Sequence, residues 1–426
     1  MLSKLIKFLW GDISREELKK FCLLGLGLLF TLMAYWMLRP IKDALFISLV
    51  GKSLLPYAKM ISLAALVIIL MQYSKLVDMF EKHRLVYFIN SIISLFLCTI
   101  AIIIIQSPDM YLQPSFASKI IGWTAFIGSE CSLIILYSLV WSYIASSMDT
   151  ATAKKGYPLI IIGAKLGAMA GSLLMLKSKI IGIGGLLIIA AGCISGTAIL
   201  IKIFTCIYSS AQNDALEIEK NQTGALEGLR LLLKHPYLIG IFIISFLPDV
   251  IGEILNISML FLADKNFHTP EQIAAFLGTF GVLANATTLI FALFGTGLFL
   301  RIWGFRAWLL LYPLITAILV MYTWIFYDLW AVVIALALLK GLRYAIDQPC
   351  REIMFIPTST DIQFKTRSWM CAFRTRAGQG MGAGLSAIFS SIGGIALLGI
   401  IGLWLPAAWY VRKENKKLIQ SGQILR

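Results

Sequence analysis

Apolar residues do not alternate along this chain or keep to one helical face. They run on for about twenty positions at a time, punctuated by short polar stretches. As a helix, such a run spans the ~30 Å of a bilayer core, whereas a helix on a soluble core keeps one polar face. The runs place spans at 21–50, 57–79, 85–106, 117–147, 157–176, 180–207, 237–263, 272–299, 305–326, 329–349, 368–391 and 393–411. The pattern therefore predicts an all-α integral membrane protein of about twelve transmembrane helices.

The longest polar connection, Ser209 to His235, follows the sixth span. It divides the chain into an N-terminal six-helix half (1–208), a cytoplasmic linker (209–236) and a C-terminal six-helix half (237–426). Two six-span halves joined by a polar linker are the layout of major-facilitator transporters, whose binding sites lie near the bilayer midplane where the halves meet.

Composition sharpens the picture. At 59% hydrophobic, 14% charged and a mean hydropathy of +0.84, the 426 residues fall outside the range of soluble globular domains. The segment before the first span has no short apolar run ending in a small-residue cleavage site, so the first span is read as retained. The net charge of +15 gathers on alternate connections, at Lys75/Lys82/Arg84, Lys154/Lys155, Lys220/Arg230/Lys234, Arg301/Arg306, Lys365/Arg367 and the tail Arg412/Lys413/Lys416/Lys417. Both termini are then expected in the cytoplasm. The basic excess is assigned to cytoplasmic loops and an anionic substrate, not to nucleic acid. Seven scattered cysteines give no disulfide framework, and His83, His235 and His268 have no ligand-spaced neighbours. No metal or other cofactor is expected.

Charges inside the apolar runs mark the candidate site, because an ionised group at bilayer depth survives only with a partner, a polar cavity or a ligand. The first span carries Arg39, Lys42 and Asp43, with Pro40 loosening the turn between the two cations. Glu130 stands near the centre of the fourth. The seventh carries Asp249 and Glu253, four apart on one helix face. The tenth carries Arg343, Asp347 and Arg351, spaced to pair as a ladder, with Glu352 beside them. Arg376 lies in the eleventh. Since spans one, four, seven and ten surround the cavity in the proposed layout, Lys42 is expected to oppose Glu253, and Glu130 to oppose Arg351.

Lysine as a point charge and arginine as a planar fork both suit a polyphosphate. Tyr35, Trp36 and Trp123 can stack a base or simply pack. No G-x-x-x-x-G-K-[ST] motif is present, and Gly378-Gln-Gly-Met-Gly-Ala-Gly384 follows no strand, so it is read as close helix packing. Gly163, Gly167 and Gly171 form a second ridge of that kind.

Several stretches resemble one family in the right order. Leu38-Arg-Pro-Ile-Lys-Asp-Ala-Leu45 is similar to L-R-x-x-K-D-x-L in the first span of the ATP/ADP translocases of plastids and obligate intracellular bacteria, the chlamydial and rickettsial type. Ala153 to Leu159, with Gly163-Ala164 after it, resembles A-K-R-F-Y-P-L-x-x-x-G-A. Asp347-Gln-Pro-Cys-Arg-Glu-Ile-Met-Phe-Ile-Pro357 resembles D-P-C-K-E-x-x-Y-I-P with one residue inserted. Lys365, Arg367, Arg376 and Gly378 fall where the family keeps basic residues and glycine. The resemblance implies a carrier in a bacterial cytoplasmic membrane that exchanges ATP for ADP and phosphate, with Lys42, Glu130, Glu253 and Arg351 as its charged cavity residues. Arg351 stands where relatives commonly have lysine.

The expectation is thus a monomeric nucleotide antiporter with no chemistry on its substrate. A proton-coupled nucleotide or NAD importer, with Glu130 or Glu253 carrying the proton, stays open as an alternative. So does a nucleotide-binding membrane receptor that does not transport.

Overall fold

The computed structural model describes residues 14–111, 115–148, 150–208, 225–292, 304–355, 366–388 and 394–421, with 299, 302, 357–359 and 362. The linker expected at 209–236 lies largely outside them. The architecture is helical: α1 (Arg15–Leu49), α2 (Leu55–Met79), α3 (Lys82–Gln106), α4 (Phe116–Ser146), α5 (Thr150–Met175), α6 (Ser178–Tyr208), α7 (Ala225–Lys234), α8 (Pro236–Asn266), α9 (Pro270–Ile290), α10 (Gly304–Ile325), α11 (Leu329–Leu342), α12 (Gln348–Met354), α13 (Arg367–Ile388) and α14 (Gly394–Ser421). A five-residue π turn, Arg343–Asp347, joins α11 to α12.

Among the described residues, nine helical stretches are long and apolar enough to cross a membrane, counting α11 to α12 as one, and Leu159–Met175 is a shorter apolar helix. The helices α13 and α14 occupy the places of the eleventh and twelfth expected spans and are not among the nine.

Local chemistry sets the ends. Ser14 and Glu17 cap α1 reciprocally: Glu17 N donates to Ser14 Oγ at 3.1 Å and Ser14 N to Glu17 Oε2 at 2.8 Å. At its far end Gly51, with φ of 112°, bonds back to the Phe46 carbonyl at 3.1 Å, a left-handed stop that a side chain would strain. The helix runs unbroken through Pro40, so the loosening expected there is not a break.

The chain forms two compact units. One comprises Met1–Lys52, Ala64–Ile218 and Phe267–Val282; the other comprises Ser53–Leu63, Glu219–Asn266 and Leu283–Arg426. The start of α2 therefore belongs with the second unit and the first part of α9 with the first, so unit membership is not a single cut in the sequence.

Each unit is built around one central helix. In the first, α1 packs on α4, α5 and α6, and α3 packs on α4 and α6. In the second, α8 packs on α11, α13 and α14, and α10 packs on α11 and α14. Counting spans and leaving out the short α7, the two packing schemes coincide at an offset of six, an internal repeat that the letters of the sequence do not display.

Small residues bring the central helix close to its neighbour in both units. A Cβ on Gly163 would meet the Gly25 carbonyl oxygen at 2.5 Å, and Gly167 and Gly171 abut Leu29 and Met33 of α1 in the same way. A Cβ on Gly378 would come within 2.5 Å of Asp249 Cβ, and one on Gly382 within 2.8 Å of the Val250 oxygen. Both glycine ridges are helix-packing surfaces. Polar side chains reinforce α6: Thr31 Oγ1 and Thr197 Oγ1 lie 3.2 Å apart, and Asn90 Nδ2 donates to the Ile194 carbonyl at 3.2 Å.

Candidate functional site

In the first unit, Lys42 is buried on α1 at 4% exposure. Its Nζ donates to Asp43 Oδ1 at 2.7 Å and lies 2.9 Å from Glu130 Oε2 on α4. The ammonium also sits 4.3 Å from the Phe126 ring centroid, a cation–π contact that further offsets its loss of water. Phe46 packs edge-on against Trp123 at 5.1 Å and against Phe126 at 5.0 Å, which walls the cluster on one side. Trp123 is thus a packing aromatic here. Arg39 lies 5.9 Å from the Trp36 ring.

The second unit holds a larger cluster. Asp249 on α8, 4% exposed, receives Arg343 at one carboxylate oxygen and Arg374 Nη1 at the other, the latter at 2.7 Å. Arg374 Nη1 also donates to the Ser245 carbonyl at 2.8 Å. Arg351 Nη1 lies 2.7 Å from Asp347 Oδ2 without an aligned hydrogen bond, so that contact is ionic. Trp308 Nε1 donates to the other Asp347 oxygen at 3.3 Å. Glu253, one turn along from Asp249, is paired with Lys59 of α2. Arg376 faces elsewhere along α13, donating to Gln379 Oε1 at 3.0 Å.

These contacts correct the pairing expected from sequence. Lys42 finds Glu130 and Asp43 rather than Glu253; Glu253 finds Lys59; and Arg351 finds Asp347 rather than Glu130. Each of these pairs lies within one unit, where a buried ion finds its partner at contact distance. The Arg343–Asp347–Arg351 ladder is also only half formed. Arg351 pairs with Asp347, whereas Arg343, at the start of the π turn Arg343–Asp347, reaches Asp249 of α8 instead.

Two residues of the clusters were not anticipated. Lys59 sits two residues inside the second apolar run, where it reads as an end-of-span cation. Arg374 stands inside the eleventh run, and as an arginine at bilayer depth it carried the same signal that singled out Arg351. In both cases the partner, not the residue, was missing from the sequence.

The model of the family described as TLC ATP/ADP transporter matches residues 1–415. The chain belongs to the TLC ATP/ADP transporter family. Among curated relatives of this family member, ADP,ATP carrier protein 3 of Rickettsia bellii is 25% identical, with 97% of each chain covered. ADP,ATP carrier protein 1 of Chlamydia muridarum is 24% identical, over 96% of this chain and 91% of its own. In fold the transporter is similar to a bacterial homologue of the iron transporter ferroportin in an inward-facing state, with a TM-score of 0.63 at 11% identity over 95% and 99% of the two chains. It is also similar to the nucleoside transporter NupG, with a TM-score of 0.55 at 14% identity over 96% and 99%. At these identities the likeness concerns architecture alone: a multi-pass membrane protein of the major-facilitator type, as the sequence layout predicts.

Proposed function

We propose that this transporter exchanges ATP against ADP, with phosphate as a further counter-substrate, across a bacterial cytoplasmic membrane. In this reading it is a twelve-span monomer of two six-helix halves with both termini in the cytoplasm. The observation that carries the proposal is the charge ratio around Asp249. Three guanidiniums, Arg343, Arg351 and Arg374, share two carboxylates, Asp249 and Asp347, inside apolar spans. A polyphosphate supplies the missing negative charge and accepts the planar forks of arginine two oxygens at a time.

Phosphoryl oxygens then compete with protein carboxylates for the same cations: with Glu130 and Asp43 for Lys42, with Glu253 for Lys59, and with Asp249 and Asp347 for the arginines. Arg39 on α1 and Arg376 on α13 add positive charge to the helices that carry Lys42 and Arg374. When nucleotide leaves, the carboxylates close back on the cations. A carrier that changed state with those charges unpaired at bilayer depth would bear a cost of several kcal/mol or more, which favours exchange over one-way passage.

The proton-coupled alternative requires a carboxylate that protonates in transit. Glu130 and Glu253 each lie against a lysine ammonium: a proton on Glu253 would leave Lys59 without its counter-charge, and one on Glu130 would leave Lys42 held by Asp43 alone. Counterflow separates the two readings. Vesicles preloaded with ADP should take up labelled ATP, and vesicles without internal nucleotide should not. Uptake into empty vesicles that follows a pH gradient would overturn the exchange reading, and binding without flux would point to a receptor. Competition by GTP, CTP, UTP and NAD in the same vesicles ranks the substrates.

A further inference from the structure

One cavity plays no part in this transport scheme. It lies in the second unit, has a volume of about 280 Å³, and is lined by Arg306 at the start of α10 and by Trp409, Arg412, Lys413 and Lys416 near the end of α14. The α14 residues share one stripe of the helix, since three- and four-residue steps return to the same face. The opposite face is fixed: Val411 and Asn415 are fully buried, Asn415 Nδ2 donates to Tyr237 Oη at 2.8 Å, and Tyr237 donates to the Met354 carbonyl at 2.8 Å. The basic stripe is therefore held outward, toward Arg306.

Among the described residues, no carboxylate lines this cavity. Glu414, the adjacent acid in the chain, pairs instead with Lys417 at 3.2 Å. Lys413 Nζ lies 5.0 Å from the Trp409 ring centroid, so the indole forms part of a cationic rim. Arg306 Nε is buried with no hydrogen-bond partner. Four like charges around one cavity repel one another, and a buried donor without an acceptor is costly. An anionic oxygen relieves both. The location narrows the chemistry, because α14 passes here from an apolar run to Arg412-Lys413-Glu414-Asn415-Lys416-Lys417, and a tryptophan beside such a boundary marks the headgroup level. Basic pockets between spans at that level suit phosphate-bearing headgroups.

We propose that this cavity binds a phosphate-bearing anion, presented by an anionic phospholipid headgroup or as free phosphate. The test uses the full-length protein in phosphatidylcholine nanodiscs and follows the thermal unfolding midpoint while either phosphatidylglycerol or inorganic phosphate is titrated. The expected result is a saturable rise, with apparent affinity lowered about tenfold or more in R306Q/R412Q/K413Q/K416Q. The arm in which the rise occurs at the lower concentration names the source. A control, K177Q/K179Q/K202Q/K265Q, removes as many exposed cations from elsewhere and should bind as the parent does. Equal weakening in the control, or no saturable rise in either arm, overturns the proposal. If the fourfold variant does not insert, R306Q alone decides: weakened binding supports the site and unchanged binding overturns it. Since phosphate is also a proposed counter-substrate, the rise assigned to this cavity is the part lost in the fourfold variant and kept in the control, and that difference does not depend on nucleotide exchange.

Discussion

Lys42 Nζ lies 2.9 Å from Glu130 Oε2, tying the first span to the fourth through a single ammonium that Asp43 also holds. Lys42 is the cation held by both carboxylates, so Lys42→Gln should remove an attraction for nucleotide phosphates and break the ion pairs with Asp43 and Glu130. Removing one member of a buried pair costs ~3–5 kcal/mol. Lys42→Gln is expected to insert, to unfold at lower temperature, and to lose ATP/ADP counterflow by about a hundredfold or more. Lys42→Arg keeps the charge and should recover part of the flux. Full counterflow in Lys42→Gln would remove this residue from the substrate path.

Arg374 is expected to matter as much as Arg351, although only the latter stands out by motif. Its Nη1 donates to both the Asp249 carboxylate and the Ser245 carbonyl from the end of a planar guanidinium, whose reach and fixed shape the shorter, flexible lysine does not match. Arg374→Lys should therefore weaken nucleotide exchange about ten- to a hundredfold, the scale of a lost charge-assisted hydrogen bond. Arg376→Lys, whose contact is with Gln379, should change it far less. Initial rates of labelled ATP uptake into ADP-loaded vesicles compare the two directly.

Gly378 should tolerate no side chain. The Cβ of an alanine there would lie 2.5 Å from Asp249 Cβ, on a helix that cannot retreat without moving Arg343 and Arg374 with it. Overpacking of this kind costs ~1–3 kcal/mol. Gly378→Ala is expected to lower the unfolding midpoint and the exchange rate together. Gly399→Ala, where an added Cβ meets nothing within 4 Å, serves as the control.

Most of the architecture was legible because the bilayer imposes a single requirement, a long apolar run per crossing, that the letters satisfy directly. The α13 region was least legible, since Arg367, Arg374 and Arg376 interrupt its apolar character. Candidate charges were legible for the same reason: an arginine or glutamate in such a run needs a partner. Partner identity was not, because it depends on helix rotation. The π turn at Arg343–Asp347 departs from the 3.6-residue period that spacing rules assume, and Arg343 pairs across to α8, which a single helix's spacing cannot foresee. The packing repeat was equally hidden, being carried by which helices touch and not by which residues touch.

His235, between α7 and α8, should make the stability of the fold depend on pH. Burial and the neighbouring Lys234 hold its imidazole below the ordinary 6.5, and its Nε2 is buried without a partner. The folded protein thus binds the proton less readily than the unfolded chain. The corresponding stability is full above about 6.5 and falls as the pH drops through that value toward the lower folded one. His235→Gln should flatten the decrease in unfolding midpoint between neutral and mildly acidic pH, and an unchanged slope would assign the dependence elsewhere.

Lys59 and Glu253 offer the sharpest test of whether the buried pairs serve transport or only folding. Glu253 is 7% exposed and faces Lys59 of α2. Lys59→Gln and Glu253→Gln should each lower the unfolding midpoint, since each leaves an unpaired buried charge. The double variant should be less destabilised than the two singles summed, with a coupling of about 0.5–3 kcal/mol. If the pair only fastened helices together, the charge swap Lys59→Glu/Glu253→Lys would restore stability and exchange alike. If nucleotide phosphates displace Glu253 from Lys59, the swap should restore stability while exchange stays low, because the cation is then presented from α8 instead of α2. Unfolding midpoints and counterflow, measured on the same four preparations, separate the two outcomes.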